Sequence, residues 1–208
     1  MIISVVSQKG GVGKSSISRT LAVEFTRAGW QVLLADIDAQ QTTSNRWAEK
    51  RRNVAGIIPQ VTTAAFATTP LALDASHDYD LTVIDGAPHA TRGTAQAAEA
   101  SDLVIIPTGS SLDDLEPSVL LASELENNGI ARGKIAFALY KTTSEAQQRE
   151  SRETLEGYGF QVLPGAVPAK TGYIDAFDRG FCATETKYDN LNHQAGILVS
   201  AVHSLVRK

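Results

Sequence analysis

Hydrophobic residues along this chain alternate between two patterns. Five short segments are apolar at nearly every position and rich in Val, Ile and Leu: residues 2–6, 32–37, 81–84, 103–106 and 135–139. Such runs are typical of strands buried on both faces, as in a parallel sheet covered by helices. The segments between them are long enough for helices. The pattern therefore predicts a doubly wound α/β fold, with a mainly parallel sheet and helices on both faces.

Four of the intervening segments have helical spacing or helix-end signals. In the first, Ile17, Leu21 and Phe25 recur every four residues, and Gly29 is a typical stop signal. In the second, Pro117 fits a first helical turn and predicts that the helix starts near Glu116. The four predicted helices cover residues 16–28, 112–128, 144–157 (with Ser144 as N-cap) and 191–206.

Composition places the chain among ordinary globular proteins. Its 208 residues are 43% apolar and 20% charged, which excludes disordered and collagen-like classes. A single cysteine, Cys182, excludes a disulfide framework. No apolar run approaches the ~18 residues of a membrane span, and the N-terminus lacks the basic flank of a signal peptide. We expect one domain over residues 1–208, an intracellular protein, and no DNA-binding domain ahead of the first strand.

Charge is distributed unevenly along the chain. Residues 1–52 carry eight basic and four acidic groups, residues 53–131 one and eleven, and residues 132–208 ten and eight. A uniformly basic nucleic-acid binder is therefore excluded, although a local basic face is compatible with the pattern. The dense cluster at 46–52 is interpreted first as a solvated helix face. The basic residues that could form a phosphate-binding strip in the last third are Arg149, Arg152, Lys170, Arg179, Lys187, Arg207 and Lys208.

The strongest chemical signal is a glycine-rich loop between the first strand and the first helix. Its backbone N–H groups, together with the positive end of the helix dipole, are suited to cradle phosphates. Lys14 would reach the β- and γ-phosphates, and the Ser15 hydroxyl would ligate Mg²⁺. The loop predicts a nucleoside triphosphate site whose candidate residues are Gly10, Gly11, Val12, Gly13, Lys14, Ser15 and Ser16.

Carboxylates follow two of the predicted strands. Asp36 and Asp38 come at the end of the second, and Asp85 ends the buried run before Gly86. In parallel sheets the carboxyl ends of strands face the ligand crevice. A hydrophobic strand ending in aspartate is the Walker B form, so Asp85 is a candidate Mg²⁺ ligand.

The loop also departs from the common pattern, because Gln8 occupies the first glycine position and Lys9 follows it. The run from Lys9 to Ser15 resembles the deviant phosphate loop of the ParA/MinD ATPases. This resemblance implies that Lys9 crosses a dimer interface to the phosphates of the partner's ATP. It also implies that Asp38 activates the attacking water near the metal, with Asp36 in support. Ala39 stands where the family usually has proline.

Weaker similarity extends over the rest of the chain. The segment from Gly86 to Pro88 aligns with the family's switch segment, and residues 103–108 are similar to its fifth strand. Residues 167–170 resemble the segment that lines the adenine pocket, which makes Pro168 and Ala169 candidates for base binding. Lys141 stands after the sixth strand, where the family often has asparagine or another polar residue, and is a third candidate.

The resemblance is greatest to the small plasmid-partition ATPases and implies a function. We expect an Mg²⁺-dependent ATPase that dimerises with ATP, binds nucleoid DNA without sequence preference and is stimulated by a centromere-binding adaptor. One alternative is a MinD-like division-site or cargo-positioning ATPase that binds membrane through residues 191–206. Few basic residues flank that segment, so membrane binding is not expected. A metabolic kinase or amidotransferase is a third alternative, for which 208 residues leave little room.

Overall fold

The fold was determined from a computed structural model, which describes residues 1–38, 43–88 and 92–206. The strands are β1 (Ile2–Ser7), β2 (Val32–Asp36), β3 (Thr62–Ala65), β4 (Leu81–Pro88), β5 (Leu103–Thr108), β6 (Ile135–Thr142), β7 (Gln161–Val162) and β8 (Val167–Pro168). The helices are α1 (Lys14–Arg27), α2 (Thr43–Arg52), α3 (Thr69–Ala75), α4 (Arg92–Ala100), α5 (Leu112–Asn127), α6 (Glu145–Gly157), α7 (Thr171–Asp178) and α8 (Asp189–Val206). Short 3₁₀ turns cover Ser76–Asp78 and Arg132–Lys134.

The strands form a parallel sheet in the order β3-β2-β4-β1-β5-β6-β7, and β8 pairs with β6. Neighbouring residues of a strand point to opposite faces, so Val5 packs into one core cluster and Val6 into another. Helices α1, α2, α7 and α8 cover the first face, and α3 to α6 cover the second. The predicted doubly wound α/β fold is confirmed.

The five predicted strands are present because each is buried on both faces. Strands β3, β7 and β8 were not predicted, since β3 is partly exposed and the other two have only two residues each. The four predicted helices are present as α1, α5, α6 and α8. The cap of α6 is also confirmed, because the Ser144 hydroxyl accepts the N–H of Gln147 at 3.2 Å. Helices α3, α4 and α7 are short and were also missed.

The predicted start of α5 near Glu116 is wrong. The helix begins at Leu112, with Ser111 as its N-cap, and Pro117 lies inside it. Two aspartates in the first turn favour this earlier start, because negative charge is stabilising at a helix N-terminus. Pro117 removes only the hydrogen bond to the carbonyl of Asp113, and that carbonyl oxygen accepts a bond from another side chain.

Within the described ranges, no helix combines the length and the apolar character that crossing a bilayer requires.

Candidate functional site

A cleft of about 350 Å³ lies at the carboxyl edge of the sheet, where β1 and β4 end beside the start of α1. Parallel α/β sheets bind ligands at this edge, next to the point where the strand order reverses. Here that point is β1, which lies between β4 and β5. The lining residues are Gly10, Gly11, Gly13, Lys14, Ser15, Ser16, Arg19, Asp38, Thr43, Asp85, Gly86, Pro88, Tyr140 and Lys141.

The glycine-rich loop forms one wall and leads directly into α1. Gly13 is the N-cap of α1 in a left-handed conformation, with φ 106°, and no side chain caps the helix. The first N–H groups of the helix are therefore left for a ligand. A Cβ at Gly13 would lie 2.4 Å from the ring of Tyr140, and residues with side chains rarely adopt this left-handed φ, so the position requires glycine.

Lys14 is the buried cation of the cleft. Its ammonium donates a hydrogen bond to the Lys9 carbonyl oxygen at 3.1 Å. Burial lowers the pKa of Lys14, and the nearby carboxylates of Asp85 and Asp38 oppose that effect. A desolvated ammonium at a helix N-terminus is suited to bind phosphate oxygens.

Asp36 and Asp85 are register partners on β2 and β4. Ser44 at the start of α2 joins them: its N–H donates to Asp36 Oδ2 at 2.9 Å and its hydroxyl to Asp85 Oδ2 at 2.7 Å. The other oxygen of Asp36 accepts the N–H of Asp38 at 3.0 Å, which fixes the backbone from which Asp38 reaches the cleft. Burial raises the pKa of Asp36, although these two backbone bonds oppose the shift.

Asp85 is the least satisfied carboxylate of the site. Burial raises its pKa to about 6, even though Ser44 donates to it. Its Oδ1 atom is buried and has no hydrogen-bond donor among the described residues. Because Mg²⁺ prefers oxygen ligands, this orphaned atom fits a cation site formed with the hydroxyl of Ser15 and the carboxylate of Asp38, both of which line the same cleft.

The side chain of Lys9 points away from the cleft that its own loop forms. Its ammonium donates to the carbonyl oxygen of Asp113 and to Asp114 Oδ1 at 2.9 Å, both in the first turn of α5. It is not among the cleft-lining residues. The loop therefore brings Lys14 to its own cleft and directs Lys9 to a neighbouring helix.

Of the three candidates for adenine binding, only Lys141 lines the cleft, although β8 pairs with β6 at Tyr140 and Thr142, on either side of Lys141. Lys141 lines the cleft, with φ 55° and its ammonium 3.1 Å from the Gly11 carbonyl oxygen. Pro168 is buried in β8, and Ala169 is bound through its N–H to the Thr142 carbonyl oxygen at 2.9 Å. Neither of these two residues lines the cleft. The Val12 side chain is also buried outside the lining.

Sequence reasoning missed three polar residues of the site, Arg19, Thr43 and Ser44, and did not anticipate the contact of Tyr140 with the loop. Arg19 follows Ser15 by one helical turn on α1 and donates to the Ser44 hydroxyl at 3.2 Å. Thr43 lies 3.3 Å from the Ser15 hydroxyl, and Tyr140 donates to the Ser16 hydroxyl at 2.8 Å. The spacing of four residues between Ser15 and Arg19 could have indicated that Arg19 lies on the same face of the helix. The other contacts join elements distant in sequence and had no such signal.

The interpretation of residues 46–52 as a solvated face is wrong for Arg51, which is fully buried and bound to Glu185. Arg152 also leaves the predicted phosphate-binding strip, because its guanidinium donates to the carbonyls of Val162, Leu163 and Gly165. The side chains that remain exposed are Arg46, Lys50, Arg52, Arg149, Lys170, Arg179 and Lys187. Ala39, Arg207 and Lys208 lie outside the described residues.

Comparisons with known proteins relate this chain to a family of nucleotide-binding proteins. A family model described as the CobQ/CobB/MinD/ParA nucleotide binding domain matches residues 3–181. The chromosome-partitioning ATPase Soj of Thermus thermophilus is 30% identical over 207 residues, covering 84% of this chain and 83% of that protein.

Two solved structures show the same fold. A plasmid partition protein from Borrelia burgdorferi bound to AMPPNP superposes with a TM-score of 0.76 at 18% identity, over 98% of each chain. The MinC:MinD cell division complex of Aquifex aeolicus gives a TM-score of 0.76 at 15% identity, over 100% of this chain and 96% of that one.

Proposed function

The chain belongs to the CobQ/CobB/MinD/ParA family of nucleotide-binding proteins, and from this premise we propose that it is an ATPase switch for DNA segregation. It would form a homodimer around two ATP molecules, bind nucleoid DNA without sequence preference, and respond to an adaptor bound at a centromere-like site. One observation carries the proposal. The loop holds two lysines, of which Lys14 faces the cleft of its own chain and Lys9 does not.

In this proposal the triphosphate lies on the loop and the N-terminus of α1. Lys14 neutralises β- and γ-phosphate oxygens, and the open N–H groups of α1 bind them directly. Ser15, Asp38 and Asp85 would hold Mg²⁺, which would supply charge neutralisation on the phosphate oxygens. Lys141, whose ammonium lies over the loop, is the remaining candidate for contact with the nucleotide.

Hydrolysis needs a positioned water and a group that accepts its proton. The Asp38 carboxylate would orient the water and take that proton as the oxygen attacks the γ-phosphorus. The bond to the bridging oxygen then breaks, and ADP and phosphate leave. Lys9 of the facing protomer would neutralise charge on the transferred group, an effect that reaches ~10³-fold or more in related trans-cation enzymes.

Dimerisation and ATP binding would then be thermodynamically coupled. ATP can drive pairing only if it binds the dimer more tightly than two separate protomers. After hydrolysis this advantage is lost, and the protomers separate from each other and from DNA. An adaptor that stimulates hydrolysis would set where this occurs.

Sedimentation velocity with ATP and Mg²⁺ tests the proposal. The wild-type chain should sediment as a dimer with ATP and as a monomer with ADP. Lys9→Ala should remain monomeric with ATP, whereas Lys134→Ala, at the opposite edge of the sheet before β6, should dimerise as the wild type does. A wild-type chain that stays monomeric at saturating ATP would contradict the proposal.

A basic corner supports the DNA-binding part of the proposal. Arg51 donates to the Gly180 carbonyl oxygen at 3.1 Å, which brings the last turn of α2 against the end of α7. Exposed basic residues from both segments therefore meet on one side of the molecule, although Asp175 and Asp178 line the adjoining recess. We define the basic corner as Lys50, Arg52, Arg179 and Lys187.

Salt dependence of DNA affinity tests this corner. Removing one cation that binds a DNA phosphate should reduce the slope of log affinity against log salt by about one. The double variant Lys50→Ala/Arg52→Ala should therefore bind random-sequence DNA more weakly, with a slope reduced by about two. Arg149→Ala, on α6 at the other face of the sheet, is the control and should leave the slope unchanged. Equal slopes for the wild type, the double variant and Arg149→Ala would exclude the basic corner as a DNA-binding surface.

The membrane-binding alternative has less support. The apolar side chains of α8 are not presented to solvent as a stripe, because Leu191, Leu198 and Val202 are buried in the core cluster against the sheet. A helix that lies on lipid needs that face free. Sedimentation of the full chain with anionic vesicles should therefore leave it in the supernatant, with ATP or without.

A further inference from the structure

The ammonium of Lys9 is hydrogen-bonded to the start of α5. It donates to two oxygens there, the main-chain carbonyl of Asp113 and the carboxylate of Asp114 at 2.9 Å. Both partners lie more than 100 residues from Lys9 in sequence, so only the fold brings them together. While it is bound there, this ammonium cannot reach across to a second protomer.

Pro117 is the reason why the first of these oxygens can accept a bond. In a regular helix the carbonyl of Asp113 would accept the N–H of the residue four positions later. That residue is Pro117, which has no N–H and lies inside α5. The helix therefore leaves one carbonyl open at the position that Lys9 reaches.

The carboxylate of Asp114 is also held by contacts that do not involve Lys9. The hydroxyl of Ser111 donates to Asp114 Oδ2 at 2.8 Å. The same oxygen packs so closely on Gly109 that a Cβ there would lie 2.3 Å away. Burial would raise the pKa of Asp114, but the hydrogen bonds from Lys9 and Ser111 and the charge of Lys9 lower it below its ordinary value.

We propose that Asp114 and the open carbonyl of Asp113 form a resting site that holds Lys9 in the nucleotide-free protomer, so that ATP-dependent pairing must first release it. The inference rests on the proposed function of Lys9 across the dimer interface. Asp114 is then a positioning residue, because it acts on the reaction only through Lys9. Its carboxylate competes with the partner's γ-phosphate for one ammonium.

The resting site weakens dimerisation by a predictable factor. The side chains of Lys9 and Asp114 are 38% and 30% exposed, so the interaction between them is expected to be weak. In each protomer it should reduce the fraction of molecules with a free Lys9 ammonium only about threefold. Two protomers must each release a lysine, and the factors multiply. Loss of the resting site should therefore tighten ATP-dependent dimerisation by about tenfold.

Sedimentation of three variants tests this effect. Asp114→Asn removes the carboxylate charge, and Pro117→Ala restores the N–H that competes for the Asp113 carbonyl. Both should lower the protein concentration needed for half-dimerisation at a fixed ATP concentration. Asp113→Asn is the matched control, because it removes a first-turn charge and keeps the main-chain oxygen; it should behave as the wild type. Equal shifts for Asp113→Asn and Asp114→Asn would overturn the proposal.

A second measurement does not depend on dimerisation. Without nucleotide, a limiting amount of an amine-acetylating reagent should modify Lys9 slowly in the wild-type chain, compared with exposed Lys50 as an internal reference in mass spectrometry. The ratio of Lys9 modification to Lys50 modification should rise about threefold in Asp114→Asn and stay unchanged in Asp113→Asn. No rise in Asp114→Asn would refute the resting site. If the wild type fails to dimerise with ATP but the ratio rises, the proposed function fails and the resting site stands.

Discussion

Two regions of this molecule bury charged side chains, and they do so in opposite ways. In the first, the guanidinium of Arg51 binds both carboxylate oxygens of Glu185 at 2.7 and 2.9 Å and donates to the carbonyls of Gly180 and Pro59. It also lies 5.5 Å from the centre of the Trp47 ring. Burial would raise the pKa of Glu185, but Arg51 lowers it below its ordinary value.

The second region is the cleft, where the burial of charge is only partly compensated. Asp85 has one unpartnered oxygen among the described residues and a pKa raised to about 6. Lys14 has a lowered pKa, for which burial is again the main cause. Uncompensated buried charges destabilise a fold, and they are typical of sites completed by a ligand. From this difference we expect the pair of Arg51 and Glu185 to serve stability, and Asp85 and Lys14 to serve binding.

Replacing Arg51 should have the largest effect on stability. Arg51→Met removes the bidentate partner of the largely buried Glu185 and leaves it the more exposed Arg27, which we expect to reduce the free energy of unfolding by about 3 kcal/mol. Urea denaturation measures this loss. The neighbouring exposed Arg52→Met is the control and should change stability by no more than ~0.5 kcal/mol. Similar values for the two variants would contradict the structural role of the pair.

The pH dependence of stability should differ in sign between the two regions. Because the pKa of Asp85 is raised from 3.8 to about 6, its protonated form stabilises the fold below pH ~4. That contribution is lost as pH rises through about 6 and amounts to about 3 kcal/mol. Glu185 has a lowered pKa, so its contribution is present above the ordinary range of a glutamate and is lost as pH falls.

Urea unfolding of two variants between pH 4 and 7.5 separates these slopes. Relative to the wild type, Asp85→Asn should gain stability as pH rises through about 6. Glu185→Gln should lose stability relative to the wild type as pH rises through the range in which glutamates ionise. Parallel curves for Asp85→Asn and the wild type would show that Asp85 is not desolvated.

Removing the buried lysine of the cleft should separate binding from folding. Lys14→Met eliminates a desolvated charge, so the free energy of unfolding should be unchanged within ~1 kcal/mol, while ATP affinity falls by ~100-fold from the loss of a charge-assisted phosphate contact. Calorimetric titration with ATP measures the affinity. Lys141→Met removes an exposed ammonium from the same cleft and should weaken ATP by a smaller factor. A Lys14→Met chain that binds ATP normally would exclude the proposed phosphate site.

The smallest expected effect concerns Tyr140, which lines the cleft. Tyr140 packs on the loop and donates to the Ser16 hydroxyl at 2.8 Å. Tyr140→Phe keeps the ring and removes one hydrogen bond, which should reduce the free energy of unfolding by about 1 kcal/mol. Tyr140→Ala also removes the packing and should lose several times more. Equal losses for the two variants would assign the whole contribution to the hydroxyl.

Local signals were sufficient for part of the site. The sequence predicted that the loop from Gly10 to Ser16 lies near Asp38 and Asp85, and all of these residues except Val12 line one cleft. This was possible because each motif is contiguous and its chemistry depends on local backbone geometry. The cap at Ser144 was predicted for the same reason. The start of α5 was not, because the signal of one proline was outweighed by the Ser111 cap and the first-turn aspartates.

The amino-acid sequence by itself determined the fold class, the phosphate loop and the family, since the periodicity of apolar residues and the order of glycines and lysines are properties of the chain. Only the tertiary structure decided that Arg51 is buried against Glu185, that Ser44 joins Asp36 to Asp85, and that Lys9 rests on α5. These contacts join elements far apart in sequence, and the environment of a charge depends on what the fold packs against it.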